Sequence, residues 1–181
     1  KKPAEAIKIY QQLAGQDREN AASWKGQQAA TYRESSQYPE AIKVYRELLQ
    51  SDAANVQTWL WSLATTQEDA GLLKEAIGAY RQCDNFPTNY KEMADCHLRL
   101  KQYNEALVLY NQIRQGHEAS APWAQLQIGY TYEKLKATEP AIKAFQLCCK
   151  KYPTASSASK AHAHLQNKYK ISVTLGGATK E

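Results

Sequence analysis

Five times along this chain a small residue and an aliphatic residue are followed, three positions after the aliphatic, by an aromatic. The copies are Ala6-Ile7 with Tyr10, Ala41-Ile42 with Tyr45, Ala76-Ile77 with Tyr80, Ala106-Leu107 with Tyr110, and Ala141-Ile142 with Phe145. Their alanines are spaced by 35, 35, 30 and 35 residues. A unit recurring at a period of roughly 20–50 residues cannot bury its apolar face alone and must stack on its neighbours. The chain is therefore expected to form a stacked array with a long surface, not a globule around a pocket with built-in chemistry.

Each signature sits in a helical stripe. Within Glu40–Gln50, Ala41, Ile42, Tyr45, Leu48 and Leu49 recur at the spacing of one face of a 3.6-residue helix. A second amphipathic segment precedes every signature but the first: Ala22–Glu34, Val56–Ala70, Asn89–Leu100 and Pro122–Leu135. The turns between the two helices are short (Ser35-Ser36-Gln37, Gly71, Lys101-Gln102, Lys136-Ala137), which makes the pair antiparallel. Gly71 is placed for a left-handed residue just past a helix end.

The expected fold is all-α, with helix-turn-helix repeats stacked into a right-handed α-solenoid. A partial first unit covers 3–14, full units cover 22–51, 56–86, 89–115 and 122–152, a capping helix covers 156–169, and 171–181 forms a tail or linker. The step that is five residues short points to a trimmed connection at Asn85–Asn89.

With 43% hydrophobic and 23% charged residues, the composition is that of an ordinary folded chain. No apolar run approaches the roughly 18 residues of a membrane span. The opening Lys1-Lys2-Pro3 lacks a Met, as in a piece of a longer protein. From Lys136 onward there are eight Lys and only Glu139 and Glu181 as acids, while the first 135 residues balance 15 bases against 16 acids. Scattered lysines suit the exposed last helix of an array; the alternative is a contact for an acidic partner, nucleic acid or a lipid headgroup surface.

Cys83 and Cys148 fall where Leu48 and Ile113 sit in other copies and read as small core residues. The alternative is a Cys83–Cys96 bridge in an oxidising compartment. Cys148 and Cys149, adjacent on a helix, point to different faces. No catalytic constellation emerges. His117-Glu118 lacks the second His of a zinc-protease motif, and Cys96-His97 and His162/His164 diverge on a helix instead of converging on one ion. An enzyme, a cofactor and a metal are not expected.

These residues resemble the tetratricopeptide repeat over about residues 3–170. Trp24, Trp59 and Trp123 stand near the start of the first helix (helix A). Ala29, Ala64, Ala94 and Gly129 hold the small position where the helices pack closest. Tyr32 and Tyr132 match the later aromatic, where Gln67 and His97 depart from it. Tyr38, Leu73, Tyr103 and Thr138 hold the turn-packing site, and Pro153 the closing proline. Most copies lack the family's glycine.

The resemblance implies a non-catalytic interaction scaffold that binds an extended peptide or helix of another protein on the concave face lined by the A helices. Aligned on that pattern, the face carries Arg33 and Glu34, Trp61, Thr65 and Glu68, Lys91 and Asp95, and Leu126, Tyr130 and Lys134, with Lys160 and His164 continuing it. Trp61 is either an aromatic anchor in the groove or a packing residue against the preceding unit. Some family members hold C-terminal carboxylates with Lys and Asn. Here Gly26, Ala30 and Asp95 occupy those places, and an acid beside Lys91 repels a carboxylate.

Two other readings stand beside this one. The 35-residue steps and net charge of +5 suit an RNA-binding helical repeat, but Glu68, Asp69 and Asp95 repel phosphate, so nucleic acid is disfavoured. A self-assembling spacer would join through the partial first unit, whose stripe of Ile7, Tyr10 and Leu13 lacks a helix A. For compartment, the Tyr152-to-Ser159 connection resembles those of bacterial envelope assembly proteins, while free cysteines lean toward the cytoplasm.

Overall fold

The structure is a computed structural model and describes residues 2–176. Among these it contains ten α-helices and no strand. The helices divide into two compact units, residues 1–89 and 90–181. The first holds α1 (Pro3–Gln16), α2 (Ala21–Glu34), α3 (Tyr38–Ser51), α4 (Val56–Asp69) and α5 (Leu73–Tyr80). The second holds nearly all of α6 (Thr88–Arg99), then α7 (Tyr103–Gly116), α8 (Ala121–Lys134), α9 (Thr138–Lys151) and α10 (Ser156–His164), the last extended by a π-type turn over Leu165–Tyr169.

The five signatures fall on α1, α3, α5, α7 and α9, and the intervening helices supply the A positions. In the first unit, Ala29, Ala41, Tyr45, Leu48 and Leu63 form a core with Trp59 packed on its edge. In the second, Leu126, Ala141, Phe145, Cys148, Cys149, Ala158, Ala161 and Leu165 do the same. All four cysteines are buried, and none is joined in a disulfide. Burial, with Cys149 beside it, pushes the Cys148 thiol up to about 12, so it is chemically inert at neutral pH.

Close approach explains two glycines. A methyl group at Gly26 would lie 2.7 Å from the Trp59 ring. At Gly129 it would lie 2.6–2.8 Å from atoms of the fully buried Phe145 ring.

The turns leaving the A helices share one geometry. Ser36, Gly71, Lys101 and Lys136 all have positive φ, between 58° and 76°. At each, the amide of the next residue donates to the carbonyl five positions back, as Gln37 does to Tyr32 and Leu72 to Gln67, both at 2.8 Å. This is the Schellman arrangement, in which a left-handed residue frees two amides to satisfy the last helical carbonyls. Gly71 meets the requirement without strain; Ser36, Lys101 and Lys136 bear a Cβ there. Ser36→Gly, Lys101→Gly and Lys136→Gly are each expected to stabilise the chain by up to about 1 kcal/mol. Calorimetry of the triple variant should give a melting midpoint several degrees higher, and an unchanged or lower midpoint would contradict the strain argument.

A second repeated device joins each signature helix to the next A helix. Asp17, at the end of α1, accepts from the Asn20 side chain and from Trp24 Nε1 at 3.0 Å. Thirty-five residues on, Asp52 accepts from Asn55 at 3.0 Å and from Trp59 Nε1 at 2.9 Å. The tryptophans then stack on the signature aromatics behind them, Trp24 on Tyr10 and Trp59 on Tyr45, with centroids 6.2 and 6.3 Å apart. In the second unit His117 takes the place of Asp, accepting from the Ser120 amide at 3.2 Å, and Trp123 meets Tyr110 edge-on.

The trimmed connection has its own closure. α5 spans only eight residues, and the buried Asn89 side chain donates to the carbonyls of Cys83 at 2.8 Å and Tyr80 at 3.3 Å, where a longer helix would have used its own amides.

The stripe expected to be open for self-assembly is covered. Ile7 is buried, Tyr10 stacks on Trp24, and Leu13 is half-buried; Ile9, off that stripe, is the exposed large apolar residue of α1. The helix faces its apolar side to α2, which leaves Tyr10 and Leu13 only partly exposed. Beyond the last helix, Ile171 and Val173 pack against the core of the second unit, and the Gly176 amide donates to the Cys149 carbonyl at 3.2 Å. The remainder of the expected tail lies outside the described residues.

Candidate functional site

The A-helix residues named from the sequence separate by unit. In the first, Arg33 of α2 forms an ion pair with Asp69 of α4, both partly exposed. Trp61 is half-buried and meets Tyr80 edge-on, centroids 5.1 Å apart. This contact lies within its own helix pair. Tyr80 in turn donates to Glu68 at 2.8 Å. Thr65 is half-buried and donates to the carbonyls of Trp61 and Ser62 in its own helix.

In the second unit, the A helices α8 and α10 flank a cleft of about 570 Å³. Trp123, Leu126, Gln127 and Tyr130 line it from α8, and Ser156, Ser157 and Lys160 from α10. The Lys91 ammonium lies 4.9 Å from the centre of the Trp123 ring, a cation–π contact at the cleft's edge. Leu126 is only 3% exposed and belongs to the core as well as to the cleft floor. Asp95 and Lys134 are exposed and do not line the cleft. Burial, and then the nearby Asp95 charge, raise the Tyr110 hydroxyl well above its ordinary value.

Tyr130 is held edge-on between Phe145 and His164, at 5.2 and 5.1 Å. Beside this aromatic group Glu133 accepts from Tyr169 at 2.6 Å, from His164 Nε2 at 2.7 Å and from Lys168 at 3.0 Å. Burial opposes the Glu133 charge, yet those three donors outweigh it and hold the carboxyl below its usual range. Sequence reasoning missed Glu133 because its partners lie 31–36 residues away. It also missed Asp17 and Asp52, although their shared Asp-x-x-Asn-x-x-x-Trp pattern at the 35-residue step was there to be read. The first is held below its ordinary value by Trp24 and Asn20, the second by Asn55 and Trp59.

Helix pairs, small residues at the A–B crossing and Schellman turns define a helical-repeat protein of the solenoid class. Tetratricopeptide-repeat family models match residues 27–90 and 123–155, together more than half of the chain. This chain belongs to the tetratricopeptide repeat family, whose members are in general protein-interaction scaffolds without catalytic activity.

Its fold is similar to that of several solved structures. A tetratricopeptide repeat protein from Parabacteroides merdae aligns at 18% identity and TM-score 0.61 over 80% of this chain and 59% of that one, so this chain spans well under two thirds of its length. YrrB, described as a repeat protein with an unusual peptide-binding site, aligns at 18% identity and TM-score 0.61, covering 88% and 82%. BtubC from P. vanneervenii aligns at 14% identity and TM-score 0.62, covering 93% and 80%. No curated protein matches. Among the described residues no helix is long and apolar enough to cross a membrane.

Proposed function

We propose that this chain is a non-catalytic scaffold that captures an extended peptide or a helix of another protein on its A-helix faces. The seat in the second unit is the α8/α10 cleft, with Lys91 and Asp95 on α6 and Lys134 at the end of α8 as flanking charges. Arg33, Trp61 and Thr65 form the corresponding face of the first unit. The observation that carries this reading is the cleft itself. Its volume lies within the range of about 300–1,000 Å³ typical of ligand sites, and an aromatic, an aliphatic floor and convergent polar groups line it.

A segment laid there would bury apolar side chains over Leu126 and Trp123 and meet hydrogen-bonding groups at Gln127 and Ser156. The binding site attributed to YrrB is consistent with peptide capture on such a fold.

Trp61 and Tyr130 are poor probes, because each also packs against a buried ring. Exposed Lys160 and half-buried Gln127 separate binding from folding better. Peptides selected by display on the full chain should bind Gln127→Glu/Lys160→Glu at least about tenfold more weakly, with the helical circular dichroism unchanged. Selected peptides that bind both proteins equally would remove the cleft as the seat.

A further inference from the structure

A second groove lies on the opposite flank of α8, between the signature helices α7 and α9. Asn111 and Arg114 of α7, Gln125, Ile128 and Tyr132 of α8, and Pro140, Lys143, Ala144 and Leu147 of α9 line about 330 Å³. The first unit contains the same groove one hundred residues earlier, between α1 and α3. Gln11, Ala14, Lys25, Gln28, Tyr32, Glu40, Lys43, Val44 and Glu47 line it there. The repeat thus supplies its own comparison, position by position.

In the first unit the groove satisfies itself. Lys25 reaches across to Glu47 at 3.6 Å, and Glu40 and Glu47 balance Lys25 and Lys43. In the second unit those charges change in one direction. Pro140 stands for Glu40 and Leu147 for Glu47, and Lys25 becomes Gln125, whose amide turns inward to the Ala144 carbonyl at 2.9 Å. Lys143 is kept where Lys43 stood, and Arg114 replaces Ala14. The lining now holds two cations and no acid over a floor of Ile128, Tyr132 and Ala144.

Two further observations point outward. Leu147 is 40% exposed although it is a large apolar side chain. Arg114 bonds Asn111 through one terminal nitrogen at 3.0 Å, but its Nε is buried and has no hydrogen-bond partner. A buried guanidinium N–H without an acceptor is costly to leave unmade.

We propose that this α7/α9 groove is a second docking site, independent of the α8/α10 cleft, and that it takes a short acidic–hydrophobic peptide segment of a partner protein. The carboxylate of an Asp or Glu meets the half-buried Arg114 guanidinium and the exposed Lys143 ammonium through charge-assisted hydrogen bonds. A neighbouring aliphatic side chain covers Leu147 and Pro140. The first-unit groove, neutralised by its own glutamates, refuses the same segment.

The test uses the full chain and a fluorescein-labelled peptide of repeating Asp-Leu-Glu-Leu, followed by anisotropy. Saturable binding is expected, weakened at least about tenfold by Leu147→Glu, by Lys143→Glu and by Arg114→Gln, and left within about twofold by Lys160→Glu in the other cleft. Leu147 and Lys143 are exposed, so those variants keep the fold whatever Arg114→Gln does. A peptide with Lys in place of every acid should fail to bind. No binding by the wild-type chain, binding that survives Leu147→Glu and Lys143→Glu, or loss confined to Lys160→Glu would each overturn the assignment. The last of these would leave the α8/α10 cleft standing without it.

Discussion

Gly129→Ala is expected to destabilise the second unit, although alanine is the better helix former. The new methyl would press into the Phe145 ring, which is fully buried and held by Tyr130 at 5.2 Å and His164 at 4.8 Å. Overpacking of this kind costs roughly 1–3 kcal/mol, against about 1 kcal/mol gained in helix propensity. Phe145→Ala removes the ring itself and should cost about 3–5 kcal/mol, since little around it can collapse into the space. In that background Gly129→Ala should reverse sign and become neutral or stabilising, because the clash has gone and the propensity gain remains. Urea denaturation of the four proteins closes the cycle; a Gly129→Ala variant as stable as wild type would refute the close approach of α8 to α9.

Glu133→Gln should loosen the end of the second unit. Three donors converge on this carboxylate, whose side chain is only 14% exposed, and hydrogen bonds to a charged group are worth about 1.5–3 kcal/mol. The amide accepts more weakly and turns an N–H toward donors. Hydrogen exchange should therefore accelerate through residues 165–176 while α7 stays protected.

The same bonds set an acid dependence. Because the folded carboxyl lies below its unfolded value of about 4.5, its contribution is complete above that pH and is lost as pH falls through the folded value. Asp17 and Asp52 are shifted the same way and add to the loss in the same acid window. Wild-type stability should fall on acidification below about pH 4.5, and Glu133→Gln should flatten part of that slope. An unaltered slope would mean that Glu133 carries no linked stability.

Much of the fold was legible because each unit repeats its own short-range instructions. The Ala-Ile-x-x-Tyr stripe places α1, α3, α5, α7 and α9, and Gly71 marks a left-handed turn that three other residues also adopt. Gly129 was legible as a close crossing for the same reason. The α8/α10 cleft was only partly legible. Leu126, Tyr130 and Lys160 could be placed on the A face by register, but Trp123 was placed only near the start of its helix, and Lys91 above its ring was not foreseen. The exposed stripe on α1 was misread because the covering face belongs to α2, a partner that periodicity within one helix does not reveal.

The amino-acid order by itself determined the repeat length, the helix pairs, the small residues at their crossings and the family, because all of these follow from contacts within about one period. Only the tertiary structure decided which charges are answered: Glu133 by three donors from α10 and its π-type extension, Arg33 by Asp69, and Arg114 by nothing at its Nε. Those outcomes depend on distances of a few ångströms between helices one or more repeats apart, where electrostatic and packing energies are set by geometry that no local pattern encodes.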